Sequence, residues 1–175
     1  MRVLISRALL TGAVTGLAVA PLAAAEIKVK VEVPKLTVAE YHRPYVAIWV
    51  ERPDQSVAAN LAVWYDVKLK DNEGTKWLKD MRQWWRRTGR SLEMPVDGLS
   101  SATRAPGEHL LSFPEGTSRL GALAPGKYEL VVEAAREVGG RELLRVPFEW
   151  PPKAAGNLKA QGEHELGALV VDLTP

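Results

Sequence analysis

Residues 26–33 alternate strictly, with Ile27, Val29, Val31 and Val33 on one side and Lys28, Lys30 and Glu32 on the other. A period of two predicts a strand with one buried face. Pro34 ends it. Residues 45–51 are apolar at both parities, which predicts a central strand. Arg52-Pro53-Asp54 marks a turn, and a third strand is expected over 57–66, where Leu61, Val63 and Tyr65 alternate with Ala62 and Trp64. Asp71-Asn72-Glu73-Gly74 then breaks the pattern and the period changes. Trp77, Leu78, Met81, Trp84 and Trp85 fall on one face of a helix over 75–88. Thr75 is the expected N-cap and Gly89 the expected stop. The other face carries Lys76, Lys79, Arg82, Arg86 and Arg87.

A loop of small residues fills 95–107. Strands are expected over 108–113, over 127–135 after Ala124-Pro125-Gly126, and over 141–150 after the Gly139-Gly140 turn. Pro151-Pro152 closes that strand, and a polar loop leads to a last strand over 163–172. Short strands punctuated by Gly and Pro turns predict an all-β chain, an immunoglobulin-like β-sandwich with one short amphipathic helical insertion. Residues 26–175 form its single domain.

The N-terminus follows another logic. Arg2 and Arg7 precede an uncharged stretch from Ala8 to Ala25 that contains Pro21 and ends in Ala23-Ala24-Ala25. Basic, apolar and small-residue regions in that order predict a cleavable export signal over 1–25. The alternative is an uncleaved anchor, for which the stretch is poor in large apolar residues. The two arginines are not adjacent, which argues against a twin-arginine route. A periplasmic location is expected, with no stable membrane span once the leader is gone.

Charge changes the picture only after that cut. The whole chain has 23 Lys+Arg against 21 Asp+Glu. The leader holds two of the basic residues and no acid, so the mature chain is balanced. That excludes a general nucleic-acid footprint. The absence of cysteine excludes disulfides and Cys-ligated metals. Ser100 and Ser101 lie in no Gly-x-Ser-x-Gly elbow, and the carboxylates form no acid–base pair by spacing, so no catalytic residue is assigned and the chain is not read as an enzyme. His42, His109 and His164 are too scattered to suggest a metal site; His42, beside Arg43-Pro44, reads as a structural or rim residue.

Several stretches together resemble a bacterial family of predicted periplasmic proteins: residues 41–51, 61–64, 77–80 with Trp84-Trp85, 102–107 and 125–137. The Pro125-Gly126-Lys127-Tyr128 strand also resembles the immunoglobulin-like domain of flagellar hook-capping proteins, a likeness of fold. The resemblance brings a chemical expectation to the loop Asp97-Gly98-Leu99-Ser100-Ser101-Ala102-Thr103. This loop is similar to the signature at which a flavin transferase attaches FMN to exported redox proteins: Asp, two residues, Ser/Thr, Gly, Ala, Ser/Thr. Asp97, Ser100, Ala102 and Thr103 fit, and Ser101 stands where Gly is usual. The resemblance implies an electron-transfer flavoprotein with Thr103 as the covalent FMN acceptor and Arg104 as a partner of the attached phosphate. Its implied partners are an FAD:protein FMN transferase and a membrane redox protein. The same residues also read as an ordinary loop.

The basic, Trp-rich helix supports a second reading. Six basic residues and one acid, Asp80, lie between Lys76 and Arg90. Trp84, Trp85, Arg82, Arg86 and Arg87 are the candidate interaction residues of a non-enzymatic periplasmic binding module. Alternatively the tryptophans pack on the sandwich and the cations are solvated.

Overall fold

The computed structural model describes residues 24–117, 119–121 and 123–175. The expected leader, apart from Ala24 and Ala25, lies outside the described residues. Nine strands form two sheets. β1 (Glu26–Val33), β5 (Gly107–Pro114), β8 (Gly156–Gln161) and β9 (Ala168–Thr174) make the first, in the order β5-β1-β9-β8. β2 (Tyr45–Glu51), β3 (Val57–Trp64), β4 (Ser100–Ser101), β6 (Gly126–Ala135) and β7 (Arg141–Trp150) make the second, in the order β4-β3-β2-β6-β7. All pairings are antiparallel except β3 with β4.

The alternation read from β1 is obeyed residue by residue: Ile27, Val29, Val31 and Val33 are buried and the residues between them are not. They meet Val46, Ile48 and Val50 of β2 and Leu130, Val132 and Ala134 of β6 in the core between the sheets. Ala25, the last residue of the expected leader, also packs there. The opposite face of β2 is equally buried. Ala47 and Trp49 join Val63, Tyr65 and Val131 under Leu78, Met81 and Trp84. The two-sided apolar character of β2 thus reflects three layers: sheet, sheet and helical cover. A bulge pairs Ile48 with Ala62 but Trp49 with Asn60, and Leu61 and Ala62 both enter the inner core.

Three expected elements come out differently. The helix expected over 75–88 is a series of 3₁₀ turns within Lys70–Asp80, broken by the left-handed Asp71 and Asn72, followed by one short α-helix, α1 (Arg82–Arg87), and a 3₁₀ turn, Gly89–Ser91. Leu78, Met81 and Trp84, spaced by three, are the fully buried ones. That spacing suits the three residues per turn of a 3₁₀-helix as well as it suits an α-helix. Thr75 does not cap; its hydroxyl donates to the Asn72 carbonyl at 2.7 Å. Gly89 is needed for closeness: an added Cβ would stand 2.5 Å from the Trp84 ring. The last strand starts at Ala168, because residues 163–166 are gathered as a loop around the Glu142 carboxylate. It accepts the backbone N–H groups of Glu163, His164, Glu165 and Leu166 at 2.6–3.1 Å. The polar segment before it contributes β8, a half-exposed edge strand.

Candidate functional site

Antiparallel pairing decides where the chain's remote segments meet. β2 begins at Tyr45, opposite Ala135 at the end of β6, and Val46 lies opposite Trp64 at the end of β3. β7 begins at Arg141, paired with Ala135. β4 runs parallel to β3 and pairs Ser101 with Trp64. One end of the second sheet therefore collects the entry to β2, the exits of β3, β4 and β6, and the turn into β7. The helical cover leaves a cleft of about 910 Å³ there. Its walls are Tyr41, His42, Arg43 and Tyr45 before and on β2, Asp66 and Leu69 after β3, and Trp77, Asp80 and Arg82 of the cover. Thr103 beyond β4 and Ala135–Arg141 of the β6–β7 turn complete it. A volume of this size falls within the range of about 300–1,000 Å³ typical of small-molecule and cofactor sites.

The cover is held over this end by buried charge. Glu133, fully buried on β6, accepts the backbone N–H groups of Gln83 at 3.0 Å and Trp84 at 2.7 Å, and the Arg141 Nε at 2.5 Å. A carboxylate thus satisfies the open N–H groups at the start of α1. Trp84 Nε1 donates to Asn60 Oδ1 at 3.1 Å, and the Asn60 amide donates to the Thr88 hydroxyl at 3.0 Å. On the other side of the cleft, Arg136 grips Glu165 through Nε at 2.7 Å and Nη2 at 3.1 Å, with Glu165 also accepting from the Gly140 N–H. Both side chains are about nineteen-twentieths buried. The hydrogen bond to Glu165 raises the Arg136 pKa and holds it charged.

Polar and apolar features alternate around the cleft. Burial pushes the Tyr45 hydroxyl up to about 12 and raises that of Tyr41, so both are neutral donors at physiological pH. Arg43 and Arg82 have no ion-pair partner among the described residues, whereas Arg136 and Arg141 are paired. Leu69, Trp77 and Val138 are exposed apolar residues on the cleft wall, at 40%, 39% and 78%. Val138 adopts φ 51°, a left-handed conformation that a β-branched residue rarely takes.

The structure brings Thr103 and Arg82 together on the cleft wall and places the other candidates elsewhere. Ser100 Oγ accepts the Val96 N–H at 2.9 Å, and Asp97 accepts the N–H of Gly98. Both side chains thus organise the turn before β4. The edge pairing continues on the backbone, where the carbonyls of Leu99 and Ser101 accept from Val63 and Tyr65. Arg104 lays its guanidinium over the Trp64 ring, 5.4 Å from its centroid. Trp84 is a core residue and offers no surface to a partner. Trp85, Arg82 and Arg86 share a second, shallower groove, and Arg87 turns toward the Gln55 side chain. His42 sits on the cleft rim, hydrogen-bonded to Glu40 at 2.9 Å. His109 packs edge-on to Trp64, and no group of three His, Asp or Glu among the described residues is placed to hold a metal ion. Sequence reasoning missed Tyr41, Tyr45, Asp66, Arg136, Val138 and Arg141 as neighbours of Thr103. The signal that could have found them is positional, since all lie within a few residues of strand ends that an antiparallel order makes adjacent.

Among the described residues no helix is long and apolar enough to cross a membrane. No curated protein and no solved structure shows a significant match to the chain. The all-β sandwich with a short helical insertion is observed, but neither comparison supports the likeness of the Pro125-Gly126-Lys127-Tyr128 strand to the flagellar hook-capping domain. A family match, in contrast, spans residues 26–168, from the first strand to the start of the last. The chain belongs to the family described as predicted periplasmic protein (DUF2271).

Proposed function

We propose that this periplasmic protein is a non-enzymatic electron carrier that holds FMN as a phosphoester on Thr103. The observation that supports this reading is the position of Thr103. The residue singled out by its signature stands on the wall of a cleft of cofactor size, which it shares with Tyr41, Tyr45, Trp77, Arg43 and Arg82 and with the acids Asp66, Asp80 and Glu137. In the loading step, catalysed by a separate transferase, Thr103 Oγ attacks the phosphorus of the FMN half of FAD. The Oγ–P bond forms, the bridging P–O bond breaks, AMP leaves with the electron pair, and the hydroxyl proton goes to a base of the transferase. Bound there, FMN would supply reversible one- and two-electron chemistry.

The chain's own residues are suited to hold such a group. Trp77, Tyr45 and Leu69 offer flat or apolar surface to a ring system. Arg43 and Arg82 offer cations to phosphate oxygens. The pairing of β4 with β3 fixes the backbone up to Ser101, two residues before the acceptor, so the tether starts from a rigid element. Asp97 and Ser100 act on the loop: they set the turn that presents it. Arg104 is engaged over the Trp64 ring and does not line the cleft, so the cleft arginines are the better phosphate partners.

The test is intact mass and in-gel flavin fluorescence of the mature protein, exported from cells with and without a flavin transferase. The expected result is a transferase-dependent FMN increment that disappears in Thr103→Val and rises in occupancy in Ser101→Gly. An unmodified mass beside a competent transferase would overturn the reading.

A further inference from the structure

Next to the cleft lies a groove of about 410 Å³ lined by Lys79, Arg82, Trp85, Arg86 and Arg141. Four cations surround one indole, and no acid contributes to the lining. Lys79, Arg82 and Arg86 are exposed and have no ion-pair partner among the described residues. Arg141 is tied through Nε to Glu133 and fixes one wall. Arg82 and Arg141 also line the cleft, so the two hollows are continuous along these side chains. The mature chain is electrically balanced, so this concentration of charge gives it a strong polarity rather than a general attraction for anions.

We infer that the groove docks an acidic surface of a partner protein and sets that partner against the mouth of the cleft. Carboxylates complement the groove, and Trp85 supplies the aromatic surface common in protein interfaces alongside arginine. The exposed Leu69, Trp77 and Val138 continue the patch around the cleft with apolar area. A lipid surface fits less well, because the four cations flank a concave groove, which suits a protruding acidic segment better than a flat array of headgroups. The inference deepens the carrier reading, since a redox partner seated there would lie beside the bound cofactor, but the surface itself does not depend on the cofactor.

The experiment measures fluorescence anisotropy of a fluorescein-labelled oligoglutamate with the mature protein. It is run at low ionic strength and at about 0.15 M salt, where the screening length falls to roughly 8 Å. Lys79→Glu/Arg86→Glu is compared with wild type and with Lys153→Glu/Lys159→Glu, which makes the same charge change on exposed positions away from the groove. Near-UV circular dichroism verifies that each variant is folded. The expected result is saturable, salt-sensitive binding, weakened about tenfold or more by the groove reversal and by less than threefold by the remote one. Absence of binding, or equal weakening by both reversals, would overturn the inference. So would oligoglutamate failing while phosphatidylglycerol vesicles bind with the same dependence on Lys79 and Arg86. Running Thr103→Val in parallel separates the two proposals: it should bind oligoglutamate like wild type while carrying no flavin, so a missing flavin mass touches only the carrier reading and missing peptide binding only this one.

Discussion

The two faces of the second sheet are built on opposite principles. The inner face, against β1 and β9, is filled by Val46, Ile48, Val50, Leu130 and Val132, and none of the buried carboxylates among the described residues belongs to this cluster. The outer face is just as dry but encloses charge. Glu51 accepts from Trp49 Nε1 at 2.8 Å and from Arg145 at 2.7 Å, and Glu133 binds the start of α1 and Arg141. An apolar interface is tolerant of sliding, because burial has no direction. A buried carboxylate has partners at fixed positions and is costly to leave without them. The inner face therefore secures the sandwich, and the outer face secures where the helical cover sits. The cleft wall depends on the second.

The sharpest way to break this comparison is to empty one face at a time. Trp84→Ala removes a fully buried indole and leaves Asn60 Oδ1 without its donor; a loss of about 3–5 kcal/mol is expected. Ile48→Ala on the inner face should cost about 2–5 kcal/mol. The two are distinguished by limited trypsin digestion under native conditions. Trp84→Ala should open the Lys76–Arg90 region to cleavage well below the global melting temperature, whereas Ile48→Ala should not. Early cleavage in both would mean that the cover and the sandwich are not separable units.

Glu133→Gln tests the directional element alone. It preserves volume but leaves the Arg141 charge without its counter-ion and sets an amide donor against the Gln83 and Trp84 N–H groups. A loss of about 2–3 kcal/mol is expected in urea unfolding. The cover should also be displaced, which Trp fluorescence would report. An unchanged spectrum with full stability would show that packing of Leu78, Met81 and Trp84 alone places the cover.

These contrasts also explain what the sequence could disclose. The strands β1, β2, β6 and β7 were legible because burial acts on each side chain independently, leaving an alternation where one face is covered, as in β1, and an unbroken apolar run where both are, as in β2. β8 was not, because Leu158 and Ala160 are only partly buried and alternate with polar residues on an edge. β4 is two residues long and exists by pairing with β3, which no local pattern records. The segment 163–167 reads as a strand, but Glu142 and Glu32 take its backbone N–H groups: the Glu142 carboxylate binds four of them, the Glu32 carbonyl accepts from Gly167 at 2.9 Å, and the Glu32 carboxylate accepts from the following Ala168 at 2.8 Å. Thr103 was found by its motif, and Arg82 by its place in a basic run. Their proximity, and that of Tyr41, Trp77 and Arg136, comes from strand order, which is a property of the whole chain.

Glu142 gives the same lesson a pH signature. Burial alone would raise its pKa, but the four backbone N–H donors outweigh burial and hold it below the ordinary value of 4.5. A carboxyl depressed in the fold contributes stability that is present above its unfolded pKa and lost as pH falls through the folded one. Stability should therefore decline below about pH 4.5 in wild type. Glu142→Gln should cost about 1–2 kcal/mol at neutral pH and progressively less as pH falls through the depressed folded pKa, where the wild-type group becomes protonated too. Denaturant midpoints across that range would show the two proteins converging; parallel curves would remove Glu142 as the organiser of the loop.

The smallest expected effect has the opposite sign. Val138 stands at the tip of the β6–β7 turn with φ 51° and 78% of its surface exposed. Its branched side chain makes a left-handed backbone unfavourable, and so little burial cannot repay that strain. Asparagine tolerates the conformation through its short polar side chain. Val138→Asn should therefore stabilise the protein by about 0.5–1 kcal/mol, roughly 1–4 °C in Tm for a chain of this size. Strain kept on the wall of the cleft that Val138 shares with Trp77 and Leu69 is the kind of local cost that persists at functional positions. The outcome sharpens the comparison between the faces. If Val138→Asn gains stability while oligoglutamate binding weakens, the strained tip serves the docking patch. If it gains stability with binding unchanged, the surface resides in the basic groove alone, and the directional outer face ends at Arg141.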